Sequence, residues 1–304
     1  MTNRYLQNYP ARILSREQRE LYFEQGYLKF PELIPKNELE ELRALVSKMI
    51  DSTRTITESS NKVDLEKGHS PDNPRLRRVA YVDDWDSLLW RLCADSVIAD
   101  IAADLLGPNV CFREMMLNFK WADGGSEVKW HQDICFYPHT HLGTLQFLLF
   151  LEDVSSHQGP LRLIPASHKG AIFEHYNESN EWTGTIRGTD LSAAGVENAI
   201  ELTGSAGLVS VHHGCTIHGS SRNDSLSGRP AFVITYTAAD AMPYTAPPYP
   251  SSHYRALVRG DEPRYARHEE VSIPLPPDWS SGYTSIFEHQ EDKSSEDISS
   301  GSIK

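Results

Sequence analysis

Residues 130–138 read Trp130-His131-Gln132-Asp133-Ile134-Cys135-Phe136-Tyr137-Pro138, and this stretch decides how the chain is interpreted. His131 and Asp133 are two residues apart, so on an extended strand their side chains leave the same face and can bind one ion. His218, in Ile217-His218-Gly219-Ser220, is the best candidate for a third ligand. Two imidazoles and one carboxylate form the facial triad of non-haem Fe(II) oxygenases. The pattern therefore predicts an iron-dependent enzyme.

A His-x-Asp pair alone is weak evidence, because the chain contains 13 His and 42 acidic residues. Arg229 strengthens the interpretation, since it follows His218 by 11 residues and the next strand-like run begins beside it. A buried guanidinium can bind a carboxylate through two parallel hydrogen bonds. A dicarboxylic co-substrate that chelates iron at one end requires such a partner at its other end.

The sequence pattern around these residues is typical of a β protein. Many short strands without intervening helices favour a sandwich or barrel, and a jelly roll leaves one end open for a ligand. We therefore predict a mainly β protein with flanking helices and a double-stranded β-helix (jelly roll, cupin-like) core. The predicted strands are Val110–Trp121, Val128–Ile134, Thr144–Leu151, Leu161–Ile164, Leu208–His212, Thr216–His218 and Pro230–Ala238.

The first 108 residues are predicted to be mainly helical. Ser15 and Gln18 fit a capping box at the start of a helix that Gly26 can end, and Pro35 suits the first turn of the next. Two further helices are predicted over 84–93 and 95–106, the second capped by Asp95. Residues 51–74 lack an apolar period, which predicts a long loop of the kind that often serves as a lid.

At 304 residues the chain could form one large domain or two smaller ones, and we favour one. We expect a single domain over 1–289, with the helical part at 1–108, the core at about 109–240 and a Pro- and Tyr-rich C-terminal arm at 241–289. Residues 173–200 are a polar insertion that could cover the mouth of the barrel. The Ser-, Glu- and Asp-rich end, 290–304, is expected to be disordered.

The composition narrows the classes of function. A net charge of −13 disfavours binding to nucleic acid, which needs basic clusters, and the longest apolar runs fall short of the ~18 residues of a membrane span. The four cysteines lack Cys-x-x-Cys spacing and the N-terminus lacks a secretory signal pattern, which favours reduced thiols in the cytoplasm. We expect a small-molecule substrate, and the oligomeric state stays open.

The chain also resembles the phytanoyl-CoA dioxygenase family of Fe(II)- and 2-oxoglutarate-dependent oxygenases. The resemblance covers roughly 117–239, and its most family-specific piece is the run Pro165-Ala166-Ser167-His168-Lys169-Gly170. The other matching pieces are Asn118-Phe119-Lys120, Trp130-His131-Gln132-Asp133, Gln158-Gly159-Pro160, Ile217-His218-Gly219-Ser220 and the stretch from Asn223 to Arg229.

The resemblance implies specific roles for these residues. His131, Asp133 and His218 are similar to the iron ligands of the family, and Arg229 with Ser220 to its grip on the distal carboxylate of 2-oxoglutarate. Two further residues of the co-substrate pocket are implied, Met116 and Arg78. The implied reaction uses Fe(II), 2-oxoglutarate and O₂ to hydroxylate an aliphatic carbon, or to carry out a related desaturation or ring closure, with release of succinate and CO₂.

The substrate does not carry over from the family. Human-type members place a Trp on the strand after the motif, whereas this chain reads Leu145-Gln146-Phe147-Leu148-Leu149-Phe150 there. Tyr137 and Gln146 are our candidates for substrate contact, although an aromatic residue near a motif is more often part of the core. Two alternatives stay open: a jelly roll that only binds a ligand, and a zinc hydrolase with the same three ligands.

Overall fold

The structure is a computed structural model, which describes residues 9–122, 125–247 and 251–279 together with Ile286 and Gln290. The first part contains α1 (Arg16–Gln25), β1 (Tyr27–Phe30), α2 (Lys36–Ser52), β2 (Val63–Leu65), β3 (Leu76–Ala80), α3 (Ser87–Ala94) and α4 (Val97–Leu106). The second part contains β4 (Val110–Asn118), β5 (Val128–His131), β6 (Thr144–Phe150), β7 (Leu161–Leu163), α5 (Leu191–Ala194), β8 (Ile200–Leu202), β9 (Val209–His213), β10 (His218–Ser220), β11 (Ala231–Ala238) and β12 (Leu257–Arg259).

The helices begin and end close to where their capping residues predict. The Ser15 side chain accepts from the backbone N–H of Gln18, whose side chain accepts from Ser15 in return, and Gly26 ends α1 with a φ of 80°. The helix that directly precedes β4 in the chain, α4, is capped by Ser96 rather than by the predicted Asp95. The hydroxyl of Ser96 accepts from the backbone N–H of Ile98, so the helix begins one residue later than expected.

The strands form two antiparallel sheets, as a jelly roll requires. The large sheet has eight strands in the order β1-β9-β6-β11-β4-β3-β2, with β12 paired to the start of β4. The small sheet has four strands in the order β5-β10-β7-β8. Apart from β2 and β3, which are joined by a short loop, neighbouring strands in both sheets are far apart in sequence, which is typical of a jelly roll. The predicted mainly β fold with flanking helices is confirmed.

The two faces of the large sheet have different partners. Along β11, Phe232, Ile234 and Tyr236 pack into the main core with the helices, while Ala231 and Val233 face the small sheet. This alternation follows from the two-residue period of a strand. The inner face therefore lines the space between the sheets, and the outer face supports the helices.

Several predicted strand ends were wrong by two or three residues. β5 ends at His131 because 133–135 form a 3-10 turn, in which the backbone N–H of Phe136 donates to the Asp133 carbonyl. β10 begins at His218, where the predicted strand ends, because a turn from His213 to Thr216 precedes it. Both differences arise from local turns at the motif.

The segments outside the jelly roll are also ordered where the structure describes them. The predicted loop over 51–74 contains β2, which pairs with β3 and extends the large sheet by one strand. The C-terminal arm adds β12 to the large sheet. The expected disordered tail lies almost wholly outside the described residues, since only Gln290 of 290–304 is among them.

The helix-facing core is predicted to dominate the stability of the fold. Phe147 is fully buried on β6, with its ring 5.8 Å from that of Tyr236. Phe147→Ala should lower the free energy of unfolding by about 3–5 kcal/mol, because it removes a buried aromatic ring and leaves a cavity. Urea denaturation measures this loss. Leu226→Ala, at a side chain that is 94% exposed, is the control and should change stability by less than about 0.5 kcal/mol. Equal effects of the two variants would contradict this account.

Candidate active site

Three side chains from two distant stretches of the sequence meet at one end of the small sheet. β10 runs antiparallel to β5 so that His218 is directly opposite His131, and Asp133 follows β5 by two residues. Each Nε2 atom of the two imidazoles lies 3.6 Å from Oδ1 of Asp133. One potential ligand atom from each residue lies within 4.8 Å of the others, and all three residues are buried. This spacing suits a shared metal ion.

Backbone carbonyl groups fix the orientation of both imidazoles. Nδ1 of His131 lies 2.8 Å from the carbonyl oxygen of Lys129, and Nδ1 of His218 lies 2.9 Å from that of Thr216. A carbonyl oxygen only accepts, so in each ring Nδ1 is the donor, and in the neutral ring Nε2 is the nitrogen with a lone pair for a metal. Such a contact sets the tautomer of a metal-binding histidine.

The side chain of Gln132 ties the motif to two other segments. Its Nε2 donates to the carbonyl oxygens of Cys215 and Ala171, at 2.9 and 3.1 Å, and its Oε1 accepts from the backbone N–H of Phe173. The backbone N–H of Gln132 donates to Nε2 of His175 at 3.0 Å. The polar insertion after residue 172 therefore supports the turn that carries Asp133.

His212 is a positioning residue that the sequence only partly indicated. It comes from β9, and its Nε2 lies 3.2 Å from Oδ2 of Asp133. His212 and His213 are consecutive on a strand and leave opposite faces of it, so at most one of them can face the site. His212 faces the site, but it contacts the carboxylate rather than joining the three ligands. The neighbouring His213 lies on the other face near Tyr22.

The electrostatics of the site favour the protonation states that a metal needs. Burial would raise the pKa of the Asp133 carboxyl, but the surrounding imidazoles of His218, His131 and His212 hold it well below its usual value. Burial lowers the pKa of His218 well below its usual value. A carboxylate and neutral imidazoles are the forms that bind a metal ion.

A cavity of about 170 Å³ between the two sheets opens beside the three residues. All nine residues that the sequence analysis assigned to the site line it. They are His131, Asp133 and His218, the co-substrate candidates Arg229, Ser220, Met116 and Arg78, and the substrate candidates Tyr137 and Gln146.

Arg229 is buried in this cavity without a carboxylate partner among the described residues. Its Nε has no hydrogen-bond partner there, and its guanidinium lies 5.4 Å from the ring centre of Phe150. Burial lowers its pKa to about 10, so the side chain is still charged at neutral pH. A buried cation without an anion is costly, and a carboxylate from a ligand would remove that cost. This site fits the distal carboxylate of 2-oxoglutarate.

The three other basic side chains of the cavity have partners in the protein, and Arg113 pairs with Glu114. Arg78 forms a buried ion pair with Asp64 at 3.0 Å. The ammonium of Lys120 donates to the carbonyl oxygens of Ser126 and Ser221, at 2.6 Å each. Arg229 is therefore the cation that best suits a carboxylate ligand.

One glycine is required for the two motif strands to approach each other. A Cβ atom added to Gly219 would lie 2.7 Å from the carbonyl oxygen of Val128 on β5. Any other residue would force β10 away from β5. Gly219 thus keeps His218 and Ser220, its two neighbours, close to the cavity.

Arg113 and Glu114, which lie next to each other on β4, also line the cavity, although no pattern in the sequence indicates them. Two residues close to the motif lie outside the cavity. Trp121 stacks on Phe119. The guanidinium of Arg162 lies over the ring of Trp130. Neither has a place in the candidate site.

A second group of possible ligands lies elsewhere in the described structure. Asp83, Asp84 and His253 offer atoms within 4.8 Å of one another, but Asp84 is exposed. The His253 ring stacks on Trp90, and Ser252 donates to Asp84. Asp83, Asp84 and His253 all lie outside the cavity.

The comparisons with known proteins agree with the geometry. The family model described as Phytanoyl-CoA dioxygenase (PhyH) matches residues 22–231. A probable alpha-ketoglutarate-dependent hypophosphite dioxygenase of Stutzerimonas stutzeri is 31% identical, over 90% of this chain and 96% of that protein. The chain belongs to the phytanoyl-CoA dioxygenase family.

Two further similar proteins are named for small molecules. An L-proline trans-4-hydroxylase of Streptomyces griseoviridis is 28% identical, over 73% of this chain and 86% of that protein. The crystal structure of EctD from S. alaskensis with 2-oxoglutarate and 5-hydroxyectoine has a TM-score of 0.65 at 22% identity, covering 84% of this chain and 87% of that one. The similarity to the EctD structure confirms the jelly-roll fold.

Membership of the phytanoyl-CoA dioxygenase family decides between the open alternatives. The chain is an Fe(II)- and 2-oxoglutarate-dependent dioxygenase, and its donor set of two imidazoles and a carboxylate fits ferrous iron. The interpretations as a non-catalytic jelly roll and as a zinc hydrolase are set aside. In the described part of the chain, no helix combines the length and the apolar character needed to cross a membrane.

The position of His212 generates a prediction for metal binding. His212→Phe keeps a ring in the same space but removes the hydrogen bond to Asp133, so iron affinity should fall about 10- to 100-fold. An anaerobic titration of ferrous iron against a competing chelator measures the affinity. His213→Phe, on the opposite face of the same strand, is the control and should leave it unchanged. Unchanged affinity in His212→Phe would show that Asp133 does not depend on this contact.

Proposed function

We propose that His131, Asp133 and His218 bind ferrous iron, and that Arg229 and Ser220 bind the distal carboxylate of 2-oxoglutarate. The enzyme then hydroxylates an aliphatic carbon of a small polar metabolite. The observation that carries the proposal is the placement of a buried, carboxylate-free guanidinium in the same cavity as a buried His-Asp-His cluster. A structural ion-pair network would pair that cation with a protein carboxylate.

Each residue of the site would have a separate role in binding or positioning the iron and the co-substrate. His131 and His218 present Nε2 atoms whose orientation is set by backbone carbonyls, and Asp133 is held by His212. Arg229 would fix one end of the co-substrate, so that its other end reaches the iron. Met116 would pack against the co-substrate, and Arg78 would support this side of the cavity through its pair with Asp64.

The protein would thereby orient the reactants and exclude water from them, which is the usual role of the protein in cofactor chemistry. When bound, iron and 2-oxoglutarate supply the oxidising chemistry: 2-oxoglutarate and O₂ yield succinate and CO₂, and one oxygen atom enters a C–H bond of the substrate. Apolar side chains beside the cavity, including the buried Leu148 and the partly buried Phe136, limit the access of bulk solvent.

The proposed substrate is smaller than a fatty-acyl thioester. The cavity of about 170 Å³ has Tyr137 and Gln146 in its wall, and both are proposed to contact the substrate. The strand that carries Gln146 lacks the Trp of human-type members. The relatives named for hypophosphite and L-proline dioxygenation support a small polar substrate.

We also propose that 1–289 form one oxygenase domain, since β12 of the C-terminal arm pairs with β4 and Trp279 lines the cavity. A cytoplasmic location is proposed because all four cysteines are buried and free of disulfides. No nucleic-acid or membrane partner is proposed, in keeping with the net charge of −13.

The iron-binding role generates the first functional prediction. Protein loaded anaerobically with ferrous iron should release succinate when 2-oxoglutarate and O₂ are added, and Asp133→Ala should lose at least about 100-fold of this rate. Succinate is quantified by mass spectrometry. Asp240→Ala, which removes an acidic residue that pairs with His141 outside the cavity, is the control. Succinate release by Asp133→Ala at the wild-type rate would refute the assignment.

The co-substrate role of Arg229 is tested separately. Arg229→Gln should raise the KM for 2-oxoglutarate about 100-fold, because a charge-assisted bidentate contact is lost. Arg162→Gln, whose guanidinium lies 5.1 Å from the ring centre of Trp130 outside the cavity, is the matched control. Initial rates of succinate release over a range of 2-oxoglutarate concentrations give the KM of each variant. If both variants have the wild-type KM, the carboxylate is bound elsewhere.

A further inference from the structure

A β-bulge in β4 turns two consecutive charged side chains into the cavity. Thr235 of β11 pairs with Glu114, but the next residue, Tyr236, pairs with Phe112, so Arg113 has no partner of its own on β11. In a regular strand Arg113 would face the helices, as Phe112 and Met115 do. A bulge places two residues opposite one and redirects a side chain, and bulges are common next to active sites. Both Arg113 and Glu114 consequently line the cavity.

These two side chains form an ion pair that is almost removed from solvent. The Arg113 guanidinium contacts the Glu114 carboxylate, and the two side chains are 10% and 16% exposed. The guanidinium also lies 4.0 Å from the ring centre of Tyr137, which favours a cation over the ring face. The pair is electrically neutral as a whole and opens onto the space where a substrate would bind.

Polar residues extend from this pair across the inner face of the large sheet. Glu114 of β4 is opposite Thr235 of β11, and Thr235 is in turn opposite Gln146 of β6. Gln146 is also opposite His212 of β9. The hydroxyl of Thr235 is fully buried and has no hydrogen-bond partner among the described residues. Strands are about 4.8 Å apart, so Glu114 and Gln146 stand about 10 Å apart at the backbone, which suits a small molecule.

We propose that Arg113 and Glu114 bind the two opposite charges of a zwitterionic substrate, an oxyanion and a cationic nitrogen on one small molecule. Arg113 pairs with the oxyanion, Glu114 with the nitrogen, and Gln146 contacts the polar groups between them. This inference rests on the proposed function of the cavity and names the substrate class for it.

The charge balance of the cavity favours a zwitterion over a simple ion. A purely anionic ligand that engaged Arg113 would leave Glu114 as a buried carboxylate without its partner, and a purely cationic ligand would do the same to Arg113. Breaking a buried ion pair in this way is strongly unfavourable. A ligand with both charges replaces the pair with two new ones, so every buried charge stays partnered.

The first test measures binding to the enzyme loaded with ferrous iron and 2-oxoglutarate under anaerobic conditions. Calorimetric titrations use α-, β- and cyclic amino acids and aminoalkylphosphonates, each beside its N-acetyl derivative, an anion, and, for the amino acids, its methyl ester, a cation. At least one zwitterion should bind about 100-fold more tightly than both of its blocked forms, since each lost charge pair costs a factor of this order. The same zwitterion should gain one oxygen atom when O₂ is admitted.

Charge-neutralising variants test the role of each residue. Glu114→Gln should weaken zwitterion binding about 10- to 100-fold and shift the preference toward the N-acetyl anion, and Arg113→Met should shift it toward the methyl ester. Glu66→Gln is the matched control, because Glu66 forms a buried ion pair with Arg77 at 2.9 Å outside the cavity. It should leave the charge preference of the wild type unchanged.

The outcomes separate this inference from the proposed function. If no zwitterion binds although the enzyme releases succinate, or if a blocked derivative binds as tightly, the substrate assignment is overturned. If Glu114→Gln alters stability as Glu66→Gln does and keeps the wild-type charge preference, the pair is only structural. If the protein releases no succinate, the proposed function fails, and the anaerobic titration still decides whether zwitterions bind.

Discussion

The candidate site depends above all on one antiparallel pairing, that of β5 with β10. Because His218 lies opposite His131 in this register, two imidazoles from positions 87 residues apart face the same cavity. A shift by one residue would turn His218 to the other face of the sheet. The close approach at Gly219 and the turn that begins at Asp133 complete the arrangement. The donor set is thus a product of strand register, supported by local turns.

The second constraint is the balance of charge inside the cavity. Asp133 is held as a carboxylate by neighbouring imidazoles, Arg78 has Asp64, and Arg113 has Glu114. Arg229 stands apart, because no carboxylate of the described residues contacts it. A buried cation in this position lowers the stability of the fold unless a ligand supplies a negative charge. The cavity is therefore prepared for an anionic co-substrate at one end and, by our inference, for a ligand with both charges at the other.

Much of the fold and of the site could be predicted from sequence, for physical reasons that particular residues illustrate. The capping box at Ser15 and the apolar periodicities are local signals, and they located α1 and most strands. The motif around His131, with its resemblance to a known family, identified nine residues that all line one cavity. Those signals depend on spacing along the chain, which the sequence contains directly.

What could not be predicted depends on pairing between distant strands. The bulge at Arg113 appears only when the register of β4 against β11 is known, so no pattern in the sequence indicated that Arg113 and Glu114 share a face. The contact of His212 with Asp133 likewise requires β9 and β5 to be placed in space. The short strand β2 has only three residues, too few for a periodic signal, and it is defined by its partner β3.

The central claim is that His131, Asp133 and His218 share one iron atom. Diffraction at the iron absorption edge, from crystals prepared anaerobically with ferrous iron and 2-oxoglutarate, tests it most directly. The account predicts an anomalous peak within bonding distance of Nε2 of both histidines and of a carboxylate oxygen of Asp133. A peak at Asp83 and His253 instead, or no peak among the three residues, would contradict it.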